Sequence, residues 1–242
     1  MRFVVYNQMF GLNGRSFWSN IIGHWAVHYQ SLAERIWKRT NLNKTLKLIG
    51  RSRADVVGIC EVLEGQEEFL KKGLNMMGYK YVFFAEGHET KFSHLRVKVC
   101  LASKEKCKHV RIEKVPFSNK FGGGGGMINC YFVKSKMNVV LAHLACLPDL
   151  RDRQIKKLEG HFKGSDKIVF MGDFNTCYDN VKHHFPDFNL VTGRVKTCSM
   201  TPVINWFVWK DFDHVLERGF KKKSIGNFEG RSDHKMLYAD LE

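Results

Sequence analysis

Residues 166–176, Asp166-Lys-Ile-Val-Phe-Met-Gly-Asp-Phe-Asn-Thr176, hold four consecutive apolar side chains and then, in quick succession, a glycine, a carboxylate and an amide. The apolar run is too short for a helix and does not alternate with polar residues. It reads as a strand buried on both faces, the kind found in a sheet covered by other layers. Asp173 and Asn175 therefore fall where such a strand ends. That position exposes polar groups at the rim of a buried sheet.

Working outward, the same pattern recurs. Ala54-Asp-Val-Val-Gly-Ile-Cys60 is a nearly all-apolar strand ending at Glu61, and a strand at Phe3 to Tyr6 is closed by Asn7. His143 closes a strand starting at Met137, Asp213 and His214 sit in one near Phe212 to Glu217, and Asp233-His234 precede another at Lys235 to Asp240. Shorter strands are expected at Tyr79 to Ala85, Val97 to Ser103, Lys108 to Val115 and Met127 to Val133. Helical spacing predicts Leu42 to Ile49, Glu67 to Met77 with Gly78 as a stop signal, and about Asp149 to Phe162. If the strand ends share one edge, their carboxylates, amides and imidazoles converge. Such a set suits hard-cation binding and proton transfer.

The 242 residues fit a single domain of 1–242 with strands and helices intermixed and no long linker. Lys and Arg outnumber Asp and Glu by 39 to 24, a net charge of +15, which favours an anionic partner such as nucleic acid or an anionic membrane surface. Seven scattered cysteines, odd in number and without a C-x-x-C pair, point to a reducing, intracellular (cytoplasmic) setting. No apolar run approaches about 18 residues, so no transmembrane segment is expected. The segment 10–39 is the least regular and carries three Trp with several basic residues. It reads as an aromatic and basic insertion facing substrate, or as a surface helix with its aromatics in the core.

The ordered series Y-N (6–7), G-I-C-E-V (58–62), A-H-L (142–144), R-x-x-Q-x-x-x-L (151–158), G-D-F-N-T (172–176), D-H-V-L (213–216) and S-D-H (232–234) resembles the endonuclease/exonuclease/phosphatase superfamily. Each motif is weak alone; all of them in family order are specific. The resemblance implies an α/β fold, a four-layer α-β-β-α sandwich with two packed mixed β-sheets and the active site at one end of them. It further implies Glu61 as the main ligand of Mg²⁺, with Mn²⁺ as a substitute, helped by Asn7 and Asp233. Asp173 would activate the attacking water, and Asn175 would donate to the phosphoryl group. His234, held charged by Asp213, and His143 would stabilise the phosphoryl or leaving oxygens. Two departures stand out. Gln8 follows Asn7 where the abasic-site branch carries an acid, and His214 stands where many relatives have Tyr, which reads as structural.

A Mg²⁺-dependent nuclease or DNA-repair phosphodiesterase is the leading expectation, with Arg151, Trp206, Trp209 and Lys210 as substrate-binding residues. Exposed aromatics at Trp206 and Trp209 would also suit a phospholipid or inositol-phosphate phosphodiesterase. A non-catalytic binding module would have no use for the full set of catalytic side chains. The run Gly122 to Gly126 does not continue into the G-K-[ST] and helix of a phosphate-binding loop; it leads into a strand. It is expected to be a mobile turn between strands, beside the site, or a place where substrate passes close to the backbone.

Overall fold

The computed structural model describes residues 1–11, 32–90, 95–118, 123–162, 164–199 and 209–242, with the backbone alone at 32–40, 199 and 209. Residues 12–31 of the expected insertion and Trp206 lie outside the described residues, and only the backbone of Trp209 is described.

The strands are β1 (Arg2–Asn7), β2 (Val56–Leu63), β3 (Tyr81–Glu89), β4 (Arg96–Ser103), β5 (Cys107–Lys114), β6 (Gly126–Phe132) and β7 (Met137–His143). They continue with β8 (Ile168–Asp173), β9 (Asn189–Leu190), β10 (Cys198–Ser199), β11 (Trp209–Lys210), β12 (Asp213–Arg218), β13 (Lys222–Phe228) and β14 (Met236–Leu241). The helices are α1 (Leu32–Ser52), α2 (Glu67–Met76), α3 (Pro148–Leu158) and α4 (Tyr178–His184). One six-stranded sheet runs β13-β14-β1-β2-β4-β3 and the other β5-β6-β7-β8-β12-β9, while β10 and β11 form a small ribbon. Each large sheet is mixed. β1 and β2 are parallel in the first, β7 and β8 are parallel in the second, and their other neighbours are antiparallel.

Three apolar clusters explain the layers. Phe3 and Val5 of β1 meet Val169 and Met171 of β8 in the cluster between the sheets. Val4 and Tyr6 point the other way, onto Leu42 and Ile49 of α1 and Leu70 and Leu74 of α2. Ile168 and Phe170 likewise face Ile155 and Leu158 of α3 and Val181 of α4. Both faces of the central strands are buried, which is why their sequences read as unbroken apolar runs. The four-layer sandwich with two packed mixed sheets is the observed fold.

Five elements have no expectation behind them: β9, β10 and β11, each only two residues long, and β13 and α4. The strand β13, Lys-Lys-Ser-Ile-Gly-Asn-Phe, pairs only with β14 at the sheet edge and is largely solvated, so it lacks an apolar pattern. Its lysines also discourage pairing with another chain's edge. The helix α4 is seven residues long with Val181 as its buried residue, too little to register as a period. The first helix is also longer than its Leu42 to Ile49 apolar stripe, beginning at Leu32.

The sheet end opposite the acidic rim is fastened by Arg2 and Asp240, directly paired across β1 and β14. Arg2 Nε and one terminal nitrogen donate to the two carboxylate oxygens at 2.8 and 2.9 Å. The guanidinium pulls the Asp240 carboxyl down to about 2. A carboxylate depressed in the folded state stabilises above its ordinary value, and that stability is lost as pH falls through the folded one. Between pH 4 and 2 the native protein is therefore expected to lose about 1–2 kcal/mol more than Asp240→Asn. Urea unfolding at several pH values checks this.

Candidate active site

The polar strand ends do converge. His143, Asp173 and Asp213 occupy matched positions on β7, β8 and β12, since Asp173 registers with both of the others. From the facing sheet, Asn7 ends β1 beside Cys60 of β2. Glu61 follows in a bulge where the β2–β4 register shifts between Ile59 and Val62, and its φ is 56°. A glutamate has no intrinsic preference for that conformation, so the bulge aims its carboxylate at the cost of local strain.

Asp173, 1% exposed, is the hub. Its Oδ2 accepts from Asn7 Nδ2 at 2.8 Å, and its Oδ1 accepts from the Asn175 backbone N–H at 2.8 Å. The same Oδ2 lies 3.8 Å from His234 Nε2 and 3.9 Å from His143 Nε2. Asn7 Nδ2 also donates to Glu61 Oε1 at 3.0 Å, so one amide bridges two carboxylates on different sheets. The Asn7 oxygen accepts from the Met9 N–H at 2.9 Å. The amide thus holds the acids together, and a direct metal contact would require its oxygen to take on a second role.

Asn175, at φ 51°, turns its side chain back so that Nδ2 donates to Leu144 O at 2.9 Å and reaches His143 Nε2 at 3.3 Å. Gly172, just before Asp173, has φ 154°, and a Cβ there would stand 1.8 Å from Ala142 O. Only glycine lets β8 approach β7 at the point where the acid is presented.

The two imidazoles are placed in opposite electrostatic settings. His234 Nδ1 is 2.7 Å from Asp213 Oδ2, both groups being buried. Burial alone would depress His234, but Asp213 and the neighbouring Cys198 outweigh it and hold the ring well above its ordinary value. Burial pushes His143 down to about 4 despite the attraction of Asp173, so this ring is neutral near pH 7. Burial and the nearby Asp233 push Glu61 up to about 8. A carboxylate set this crowded is one that a cation would relieve.

Glu61, His143 and Asp173 offer ligand atoms within 4.8 Å of one another, as do Asp173, Asp213 and His234, and Cys198, Asp233 and His234. The carboxylate oxygens in these sets suit a hard divalent ion, Glu61 being more exposed than Asp173. Asp233 accepts from Ser232 Oγ at 2.9 Å and stands nearer His234 and Cys198.

The remaining expected residues divide. Arg151 is buried, and its guanidinium donates to the Asn175 carbonyl at 2.8 Å, under the site rather than across its mouth. Lys210 lies in β11 with its carbonyl accepting from Thr197 N–H at 2.8 Å. His214 is fully buried and pairs with the Thr176 carbonyl at 2.8 Å, edge-on to Phe174, a packing role in keeping with its departure from the family pattern.

Several supports were not foreseen. Gln154 Oε1 accepts from the Ala145 N–H at 2.7 Å, fixing the chain just after His143; it is the glutamine of R-x-x-Q-x-x-x-L, so the signal was present. Thr197 and Cys198, beside Asp213 and His234, belong to no motif. The described glycines 123–126 are not a loose turn. Gly125 N–H donates to the His143 carbonyl at 2.6 Å, and a Cβ at 125 would meet His143 Cβ at 2.8 Å and Val99 Cγ1 at 3.2 Å. The missing side chain at Gly125 lets the backbone pack against the His143 imidazole. Gly125→Ala is expected to displace His143 and lower turnover by about 10- to 100-fold, with the circular dichroism spectrum unchanged.

A family model described as Endonuclease/Exonuclease/phosphatase family matches residues 37–234. A search of curated proteins gives no match. Among solved structures, an endonuclease/exonuclease/phosphatase from Beutenbergia cavernae superposes with a TM-score of 0.72 at 14% identity, covering 100% of this chain and 71% of that one. TDP2 from D. rerio, complexed with a single-strand DNA product, gives 0.67 at 14% identity over 100% and 98% of the two chains. A 3′ phosphatase from Neisseria bound to a product DNA hairpin gives 0.63 at 14% identity over 100% and 99%.

Proposed function

The chain belongs to the endonuclease/exonuclease/phosphatase family, a family of hydrolytic phosphoesterases, and from that premise we propose that it is a Mg²⁺-dependent phosphodiester hydrolase acting on nucleic acid. The observation that carries this reading is Asp173 Oδ2, turned toward two imidazoles and tied through Asn7 to Glu61.

Glu61, with Asp233 beside it, would hold the ion. When bound, Mg²⁺ neutralises the acid cluster and polarises phosphoryl oxygens. Asp173 has Oδ1 fixed by the Asn175 N–H and Oδ2 held by Asn7 Nδ2, which orients the second lone pair of Oδ2 to take the proton of the attacking water. His234 gives its Nδ1 proton to the bond with Asp213, so Nε2–H is the donor offered to a phosphoryl oxygen as charge builds there. Asn175, anchored by Leu144 and by Arg151 beneath it, orients the same group. Water adds to phosphorus and the bond to the leaving oxygen breaks, with proton handling by these side chains.

Nucleic acid as the substrate is supported by the +15 charge and by the DNA held in the two structurally similar proteins. The lipid reading rested on Trp206 and Trp209, whose side chains lie outside the described residues, and no described feature favours it. The test is incubation with Mg²⁺ and plasmid DNA, single-stranded DNA, RNA, sphingomyelin or inositol polyphosphates in parallel. Cleavage of a nucleic acid is the expected result. Cleavage confined to a lipid or inositol phosphate would overturn the substrate assignment.

A further inference from the structure

Beside the acidic centre, and sharing none of its acids or imidazoles, lies a cavity of about 400 Å³ between α1 and the 229–231 loop. Asn41, Lys44, Thr45, Leu48 and Arg51 present one face of α1 to it at helical spacing. Gln8, adjacent to Asn7, forms its inner wall, and Arg231 stands on the opposite rim.

The chemistry of this wall is one-sided. Lys44, Lys47, Arg51 and Arg231 line the cavity, and among the described residues none of the four has an acidic partner. The one lining acid, Glu229, is bonded to Lys235 at 2.8 Å. A second observation is independent of charge. Asn41 is 4% exposed, and its side-chain N–H group has no hydrogen-bond acceptor among the described residues. A buried amide donor left unsatisfied costs about 1–3 kcal/mol, and here it adjoins a cavity ringed by cations. An acceptor carrying negative charge satisfies both features at once.

We infer that this cavity is a second phosphate subsite, binding a backbone phosphate of the nucleic acid away from the one being cleaved. The assignment rests on the nucleic-acid reading above and deepens it. Its position fits, because Gln8 follows Asn7 directly and Ser232, two positions from Gly230, donates its N–H to Tyr6 at the same wall. Tyr6, the residue before Asn7, also lines the cavity, so its wall continues into the strand that ends at the acidic centre. The cations there attract any phosphate, and the Asn41 amide gives the site a fixed hydrogen-bond donor.

The test uses the full chain and the exposed pair Lys47→Ala/Arg51→Ala. In chelator, where no hydrolysis occurs, a single-stranded oligonucleotide is titrated and the side-chain amide signals of Asn41 are followed by NMR. Those signals are expected to shift and saturate. The double substitution is expected to weaken oligonucleotide binding about tenfold and to lower the log–log salt slope by about 1.4. Hydrolysis of bis(p-nitrophenyl) phosphate, which has no second phosphate, is expected to be unchanged in the same variant. An oligonucleotide affinity unaffected by the double substitution, or unmoved Asn41 signals, would overturn the proposal. Inorganic phosphate forms a separate arm: if it shifts Asn41 while the oligonucleotide does not, the pocket takes free phosphate and the strand subsite is excluded. Because binding is read without turnover, a wild-type protein that hydrolyses nothing would remove the hydrolase reading and still leave the subsite decided.

Discussion

Asp173→Asn is expected to slow phosphodiester hydrolysis by about 10³- to 10⁴-fold while the protein remains folded. The two carboxylate oxygens have separate partners, Asn7 Nδ2 for Oδ2 and the Asn175 N–H for Oδ1. An asparagine amide satisfies one and sets a donor against a donor at the other, which costs about 1–3 kcal/mol. Against this, removing one charge from a set containing Glu61, Asp213 and Asp233 relieves repulsion that already raises Glu61. The melting temperature is therefore expected to move by only a few degrees, whereas the proton acceptor is lost outright. Parallel melting and turnover measurements separate the two effects. A variant that unfolds at room temperature would mean that Asp173 is chiefly structural.

Glu61→Gln is expected to cost about 10²–10³-fold in turnover at low Mg²⁺ and to shift the metal requirement upward by at least tenfold. Glutamine keeps the volume of the side chain and an oxygen that can still meet Asn7, so the bulge at φ 56° is retained. What it loses is the charge. The wild-type carboxyl is pushed up to about 8 by burial and Asp233, so its ionised form is costly until a cation compensates. Part of the lost rate should return at high Mg²⁺ or with Mn²⁺. An unchanged metal dependence would remove Glu61 from the metal site and leave it as a support for Asn7.

The fold was legible because its central strands are buried on both faces: Ile168 to Met171 and Val56 to Cys60 carry unbroken apolar runs ending at a carboxylate. Burial between sheet and helix layers writes itself directly into composition there. Elements that bury little left no such trace, and β13 and α4 were missed for that reason. The carboxylates and imidazoles that meet at the rim were also readable, through motif order. What could not be read was which atoms each would engage. The Asn7 amide spans Glu61 and Asp173, residues 54 and 166 positions away along the chain, and no local pattern encodes that. The different settings of His143 and His234 likewise depend on Asp213 reaching one ring and not the other. The glycine run shows the same gap. As a string it suggests mobility or close backbone approach without naming a neighbour, whereas in the fold Gly125 packs against His143 and Gly126 against Ala85.

Single-turnover cleavage of an end-labelled DNA oligonucleotide, followed across Mg²⁺ concentrations for the wild type and Asp173→Asn, tests the central claim most directly. The wild type should cleave in proportion to bound Mg²⁺ and stop in chelator, and the variant should fall by at least about 10³-fold at every concentration. Cleavage that persists in chelator, or that Asp173→Asn carries out at the wild-type rate, would contradict a metal-assisted hydrolytic centre at Asp173.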